Sequence, residues 1–102
     1  MLHVIAAITI APARRDDFLT AFHKLMPHVH AEQGCLEYGP TVDVASGIGL
    51  QPPVRENTVV VCEKWESLAA LKAHLAAPHM TAWREEMKDI VLGVALQVLQ
   101  PA

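Results

Sequence analysis

The spacing of apolar residues changes abruptly near residue 66, and this change constrains the fold more than any other feature of the chain. Residues 57–65 alternate with a period of two, as a half-buried strand does, and one face of that strand would hold Val59, Val61, Glu63 and Trp65. The spacing then becomes helical, with Leu68, Leu71 and Leu75. Ser67 separates the two patterns and suits a helix N-cap, because its hydroxyl can accept a hydrogen bond from an amide of the first turn. The pattern therefore predicts a strand that leads directly into a helix.

The same stretch is rich in groups that can carry chemistry. Pro78 ends the helix predicted over residues 68–76 and suits the first position of another helix, whose 3–4 spacing continues through Met87 and Ile90. His74 and His79 lie on either side of that break. A carboxylate, an aromatic ring and two imidazoles are thus concentrated next to a strand end. This concentration favours the interpretation that the stretch forms the wall of a pocket and not only part of the hydrophobic core.

The other predicted elements follow from the same rules of spacing and punctuation. Strands are expected at residues 2–10, 35–45, 57–65 and 94–99, and a loop at residues 46–56. A helix is expected over residues 14–32, with Pro27 disturbing its last turn and Gly34 ending it. Gly39 and Pro40 indicate a bulge or an edge position in the second strand, and Gly93 indicates a turn before the last one.

The element order predicts a ferredoxin-like βαββαβ domain spanning residues 1–102. It is a four-stranded antiparallel sheet with its helices on one face. The first and third strands are apolar on both faces, and 52% of all residues are hydrophobic. Because the helices can cover only one face, we expect a homodimer that forms through the other sheet face.

Charge and composition exclude several classes of function. The net charge is −3 and the basic residues are scattered, which gives no footprint for nucleic acid. No apolar run approaches the roughly 20 residues of a membrane-spanning helix. The first residues do not resemble a secretion signal, and Cys35 and Cys62 form no recognised pair. We therefore expect a cytoplasmic protein with reduced thiols.

Four segments resemble the antibiotic biosynthesis monooxygenase (ABM) domains of the dimeric α/β-barrel superfamily. They are Glu-Gln-Gly-Cys-Leu-Glu-Tyr at 32–38, Glu-Lys-Trp-Glu-Ser at 63–67, Ala-Leu-Lys-Ala-His at 70–74 and Pro-His-Met at 78–80. The resemblance spans nearly the whole chain and implies the ferredoxin-like fold and a dimeric α/β barrel. It also implies a small aromatic substrate, such as a quinol or an anthrone, oxidised with O2 and without a cofactor.

The same superfamily leaves other activities open. Its haem-degrading branch uses an Asn on the first strand, and residues 4–8 here contain none. A Pro-Ala-Arg sequence at residues 12–14 also replaces the usual glycine before the first helix. A sugar-phosphate isomerase would need a cationic pocket, whereas the candidate region offers only Arg55, Lys64, Lys72 and Arg84. A domain that binds an aromatic molecule without turnover is the alternative from a different class.

Three residues are candidates for catalysis. His74, at the edge of the apolar stripe of its helix, could take a phenolic proton, or it could cap the helix end. His79 could act as a neutral base at a helix start, or lie on the surface. Glu63 would have a raised pKa if it is desolvated, which suits proton transfer, or it could form an ion pair with a helix.

Three aromatic residues are candidates for substrate binding: Trp65, Tyr38 and Trp83. Each could line a pocket for a flat ring or serve as a core residue. The histidines of the first helix, His23, His28 and His30, do not share one helical face, and no other ligand completes a known set. We therefore predict no metal site and no cofactor.

Overall fold

A computed structural model describes all residues from Met1 to Ala102. The strand that precedes Ser67 and the helix that follows it form as the change in spacing predicts, and the Ser67 hydroxyl accepts a hydrogen bond from the Ala70 amide at 3.1 Å. In chain order the elements are β1 (Leu2–Ile10), α1 (Arg15–His30), β2 (Cys35–Thr41), β3 (Thr58–Trp65), α2 (Leu68–Ala76), α3 (Pro78–Glu86) and β4 (Val91–Leu99).

The four strands form one antiparallel sheet in the order β2-β3-β1-β4. This is the ferredoxin-like arrangement with three helices, and it confirms the predicted fold class. The apolar residues of β1 and β3 that share a face are buried, and α1 contributes Phe18, Phe22, Leu25 and Val29 to the same core. None of the helices is both long enough and apolar enough to cross a membrane.

An aromatic cluster fills the core between the sheet and the helices. The rings of Phe18 and Phe22 lie 5.7 Å apart, and Trp83 packs edge-on against both. Tyr38 stacks on Phe22 at 5.3 Å. Since burying one such side chain stabilises a fold by about 1.5–3 kcal/mol, this cluster is a main anchor of α1 and α3 on the sheet.

The second strand is shorter than predicted, because it ends at Thr41 and not at residue 45. Thr41 pairs with Val60, and β3 begins only two residues earlier, so little partner strand is left beyond this point. The chain then forms a loop over residues 42–57. Arg55 contacts both carboxylate oxygens of Asp43 in this loop, at 2.8 and 2.9 Å. Pro40 is tolerated because β2 is an edge strand, and the irregularity lies between Cys35 and Glu37 instead.

The end of α1 places a tight turn against α2. The helix continues through Pro27 as far as His30, so the proline does not end it. Gly34 follows with φ +83°, a left-handed conformation that favours glycine. A Cβ atom at Gly34 would lie 2.6 Å from the Cβ of Ala70, so this position also needs the absence of a side chain. The turn that carries residues 31–34 is therefore fixed in place.

The last strand begins earlier than predicted. It starts at Val91, and Gly93 lies inside it, paired with Thr9, so the prediction of a turn at Gly93 was wrong. The helix before it ends at Glu86, and the amide of Ala11 donates to the Ile90 carbonyl at 2.8 Å, which draws the chain into the sheet. The helical spacing misled here because Met87 and Ile90 are buried in the turn between the two elements.

Candidate functional site

An apolar cavity of about 310 Å³ lies between the sheet and α3, and we call it the inner cavity. Four of the predicted site residues line it: Tyr38, Glu63, His74 and Trp83. Most of its other lining residues are aliphatic side chains and methionines from β1, β3, α3 and β4. Such a pocket, with a few convergent polar groups, is the usual form of a site for a small molecule.

Glu63 reaches this cavity because the alternation of β3 turns it toward the core, between Val61 and Trp65. Its carboxylate accepts a hydrogen bond from the indole nitrogen of Trp65 at 2.9 Å. Burial raises the pKa of Glu63 to about 7; the Trp65 hydrogen bond opposes that rise and the nearby Glu32 adds to it. A carboxyl group with a pKa near neutrality can both take and return a proton.

His74 projects from α2 into the core, and only 2% of its side chain is exposed. Its ring packs against Trp65 at 4.6 Å and against Tyr38 at 5.4 Å. Burial lowers the pKa of His74, whereas its hydrogen bond to Glu32 acts in the opposite direction. With Nδ1 donating to the Glu32 carboxylate at 2.9 Å, Nε2 is the nitrogen left as a proton acceptor toward the inner cavity.

Glu32 is a site residue that sequence reasoning missed. Its Oε2 atom lies 2.9 Å from Nδ1 of His74 and 2.7 Å from Nε2 of His79, so one carboxylate holds both imidazoles. We call these three residues the Glu32 junction. The partners are 42 and 47 positions away in the chain, beyond the reach of any local spacing rule. The one signal was the segment at 32–38, in which Glu32 stands two residues before the glycine of the fixed turn.

His79 does not line the inner cavity. It lies at the start of α3 and faces a groove of about 420 Å³ between α1 and α3, which we call the outer groove. Its side chain is 31% exposed, and its ring lies 6.2 Å from that of His28. Trp83 lines both the inner cavity and the outer groove.

Trp65 is fully buried and does not line the inner cavity. It instead supports two residues that do, since its indole donates to Glu63 and packs on His74. Tyr38 does line the cavity, and burial raises the pKa of its phenol far above the ordinary value, so the group is neutral at physiological pH. Four of the six predicted site residues therefore line the inner cavity. Trp65 supports that cavity from behind, and His79 lines the outer groove instead.

The histidines of α1 are not gathered into one site. His30 contacts the Tyr38 carbonyl through Nε2 at 2.8 Å, while His23 is exposed on the helix. The ligand atoms of the Glu32 junction lie within 4.8 Å of one another, which is compatible with a metal ion. The contacts of 2.7 and 2.9 Å are also normal hydrogen-bond distances, so the three groups satisfy one another without an ion.

Comparisons with known proteins agree with this architecture. The sequence pattern of the family described as antibiotic biosynthesis monooxygenase matches residues 1–86. The chain is 43% identical over 103 aligned residues to the probable quinol monooxygenase YgiN of Escherichia coli, covering 99% of this chain and 98% of that protein. A crystal structure of an antibiotic biosynthesis monooxygenase superposes with a TM-score of 0.80 at 25% identity, covering 100% and 99% of the two chains.

A further crystal structure, that of PA3566 from Pseudomonas aeruginosa, has the same fold. It superposes with a TM-score of 0.80 at 24% identity, covering 99% of this chain and 93% of that one. The family match and the relative support a monooxygenase, and both extend over most of the chain. The chain therefore belongs to the antibiotic biosynthesis monooxygenase family.

Proposed function

We propose that this protein oxidises a small quinol-type aromatic with O2 inside the inner cavity, without a cofactor. The observation that carries the proposal is that two proton acceptors, Glu63 and His74, face one apolar cavity. The 43% identical relative, named a probable quinol monooxygenase, supports the substrate class. A cavity of about 310 Å³ lies at the small end of the range for ligand pockets and suits a compact aromatic molecule.

The reaction needs only a base, oxygen and exclusion of water. Nε2 of His74 takes a phenolic proton, and the quinolate gives one electron to O2 and combines with the resulting superoxide at a ring carbon. The peroxide anion takes the proton back from His74. Glu63 then removes the proton from that ring carbon while the O–O bond breaks, and the carbon becomes a carbonyl. The hydroxide that is released takes this proton from Glu63 and leaves as water. One quinol and one O2 thus give one hydroxyquinone and one water.

The remaining residues of the inner cavity fit supporting roles. Tyr38 and Trp83 offer aromatic faces against which a flat ring can stack. Arg84 also lines the cavity and can offset the negative charge of the quinolate. Trp65 acts indirectly, because it holds the Glu63 carboxylate in position.

The assembly that we propose is a cytoplasmic homodimer formed through the sheet face that carries no helix. Ile5 and Leu99 lie on that face and are exposed in the single chain. A second subunit would remove this apolar surface from water. The two free thiols, Cys35 and Cys62, agree with a reducing compartment.

The test is oxygen consumption by protein treated with EDTA, measured against a panel of dihydroxynaphthalenes and anthrones. We expect uptake with at least one of them, and a loss of about 10²–10⁴-fold in kcat for His74→Ala, since that change removes the base. His23→Ala, on the exposed face of α1, is the matched control and should retain wild-type uptake.

Two results would contradict the proposal. Unchanged uptake in His74→Ala would remove His74 from the chemistry. Binding of the same aromatics without any oxygen uptake by the wild type would indicate a binding domain instead.

A further inference from the structure

The Glu32 junction connects two spaces, each lined by one of its histidines, and the two histidines differ in burial. His74 lines the inner cavity and not the outer groove, and His79 lines the outer groove and not the inner cavity. The exposed fraction of the three side chains rises in order along the junction, from 2% at His74 to 14% at Glu32 and 31% at His79. Each neighbouring pair is within hydrogen-bond distance.

We propose that Glu32 and His79 are positioning residues that let the buried ring of His74 exchange a proton with a molecule in the inner cavity while the compensating proton crosses at the outer groove. The proposal rests on the proposed function, because the oxidation is what delivers a proton to His74. It gives His79 a role distinct from that of a second base, since its ring faces the outer groove and not the inner cavity.

The physical reason is the cost of a net charge in an apolar interior. A proton that reaches Nε2 of His74 turns a nearly fully buried ring into a cation, which is unfavourable unless a counter-charge is already in place. Glu32 can neutralise one imidazolium, and it touches two imidazoles. The carboxylate pairs with protonated His79 before the transfer and with protonated His74 after it.

Protons balance in this exchange. As His74 gains the phenolic proton, His79 releases one to the outer groove, so the net charge of the junction is constant. When His74 returns its proton to the peroxide, His79 takes one back from the groove. The positive charge therefore moves only from His79 to His74, across the Glu32 carboxylate between them. No water needs to enter the inner cavity for this exchange.

Other charged and titratable groups surround the two rings, and any pH profile must be interpreted with them in mind. Those that line the inner cavity with His74 are Glu63 from β3, Tyr38 from β2, Arg84 from α3 and Lys88 from the turn after α3. Those that line the outer groove with His79 are Asp17, Lys24 and His28 from α1 and Glu86 from α3.

Chemical rescue tests the proposal in the EDTA-treated protein. We expect His79→Ala to lower kcat for a quinol by about 10–100-fold with little change in KM, because proton exchange and not binding is impaired. Free imidazole at millimolar concentration should restore kcat by at least several-fold, since it can enter the open groove. His28→Ala, a histidine of the same groove, should keep its wild-type kcat and gain nothing from imidazole. Full activity of His79→Ala, or a loss that imidazole does not reverse, would overturn the proposal.

A measurement without turnover separates this proposal from the proposed function. Ring ¹⁵N NMR of the ligand-free protein should show His74 and His79 titrating as a coupled pair, so that His79→Ala shifts the His74 titration and His28→Ala does not. Glu32→Gln should uncouple the two rings. Independent titration in the wild type would overturn the exchange even in an active enzyme, whereas coupled titration in a protein without oxygen uptake would support the junction and reject the quinol reaction.

Discussion

The carboxylates of Glu63 and Glu32 are in contrasting surroundings. Glu63 faces the apolar cavity and accepts a hydrogen bond from the neutral indole of Trp65, and its pKa rises to about 7. Glu32 lies in a turn between elements and accepts from two imidazoles. A glutamate is thus suited to proton transfer at position 63, where its partner is a neutral indole. At position 32, where its partners are two imidazoles, it is suited to holding a cation.

The largest effect that distinguishes the two regions should come from Glu63→Gln. The amide can still accept the Trp65 hydrogen bond but cannot take a proton, so we expect kcat/KM to fall by about 10²–10³-fold. In the wild type, kcat/KM should rise as pH increases through about 7, because Glu63 ionises there. That rise should be missing in the variant. A pH–rate series of oxygen uptake checks both points, and an unchanged rise would assign the titration to another group.

The substitution Gly34→Ala should disrupt the turn that carries Glu32. The new Cβ would require a left-handed alanine at φ +83° and would lie 2.6 Å from the Cβ of Ala70. We expect the free energy of unfolding to fall by about 2–4 kcal/mol and the turn that carries Glu32 to move. Urea denaturation measures the loss, and the matched control is Gly49→Ala, where a Cβ meets no atom within 4 Å. Equal stability of the two variants would contradict the packing argument.

The smallest effect should be the gain in stability that Glu63→Gln gives at alkaline pH. The pKa of Glu63 is raised on folding, from 4.5 to about 7, so the native state binds the proton more tightly than the unfolded chain does. The free energy of unfolding of the wild type should therefore decrease as pH rises from about 4.5 to about 7, by on the order of 3 kcal/mol. Urea denaturation of Glu63→Gln at a series of pH values should show a flatter profile. Parallel profiles would mean that Glu63 is not desolvated.

Much of the fold could be predicted because the spacing of apolar residues and the positions of Gly and Pro are local properties of the sequence. The alternation in residues 57–65 correctly placed Glu63 and Trp65 on one shared face, and the structure shows that this is the face the helices cover. Alternation alone could not tell a cavity wall from a support, and only the packing shows that Trp65 lies behind Glu63 and His74. The start of β4 was mistaken because Met87 and Ile90 continue the helical spacing after the helix has ended.

Glu32 could not be predicted as a site residue, because its role depends on where three elements meet. Nothing in the spacing of α1 links it to α2 or α3, and its contacts form only when the Gly34 turn packs on Ala70. His79 looked equivalent to His74 in the sequence, since both flank Pro78, yet the break between α2 and α3 directs them into different spaces. Tertiary packing therefore decides the roles that composition leaves open.

Trp83, which borders both the inner cavity and the outer groove, is a partition within the subunit. If the proposed reaction takes place in the inner cavity, we expect the Trp83 indole to limit how long an aromatic substrate can be. We expect its replacement by a small residue to connect the inner cavity with the outer groove. One position of α3 can therefore change the shape of the cavity while Glu63, His74 and Glu32 stay as they are.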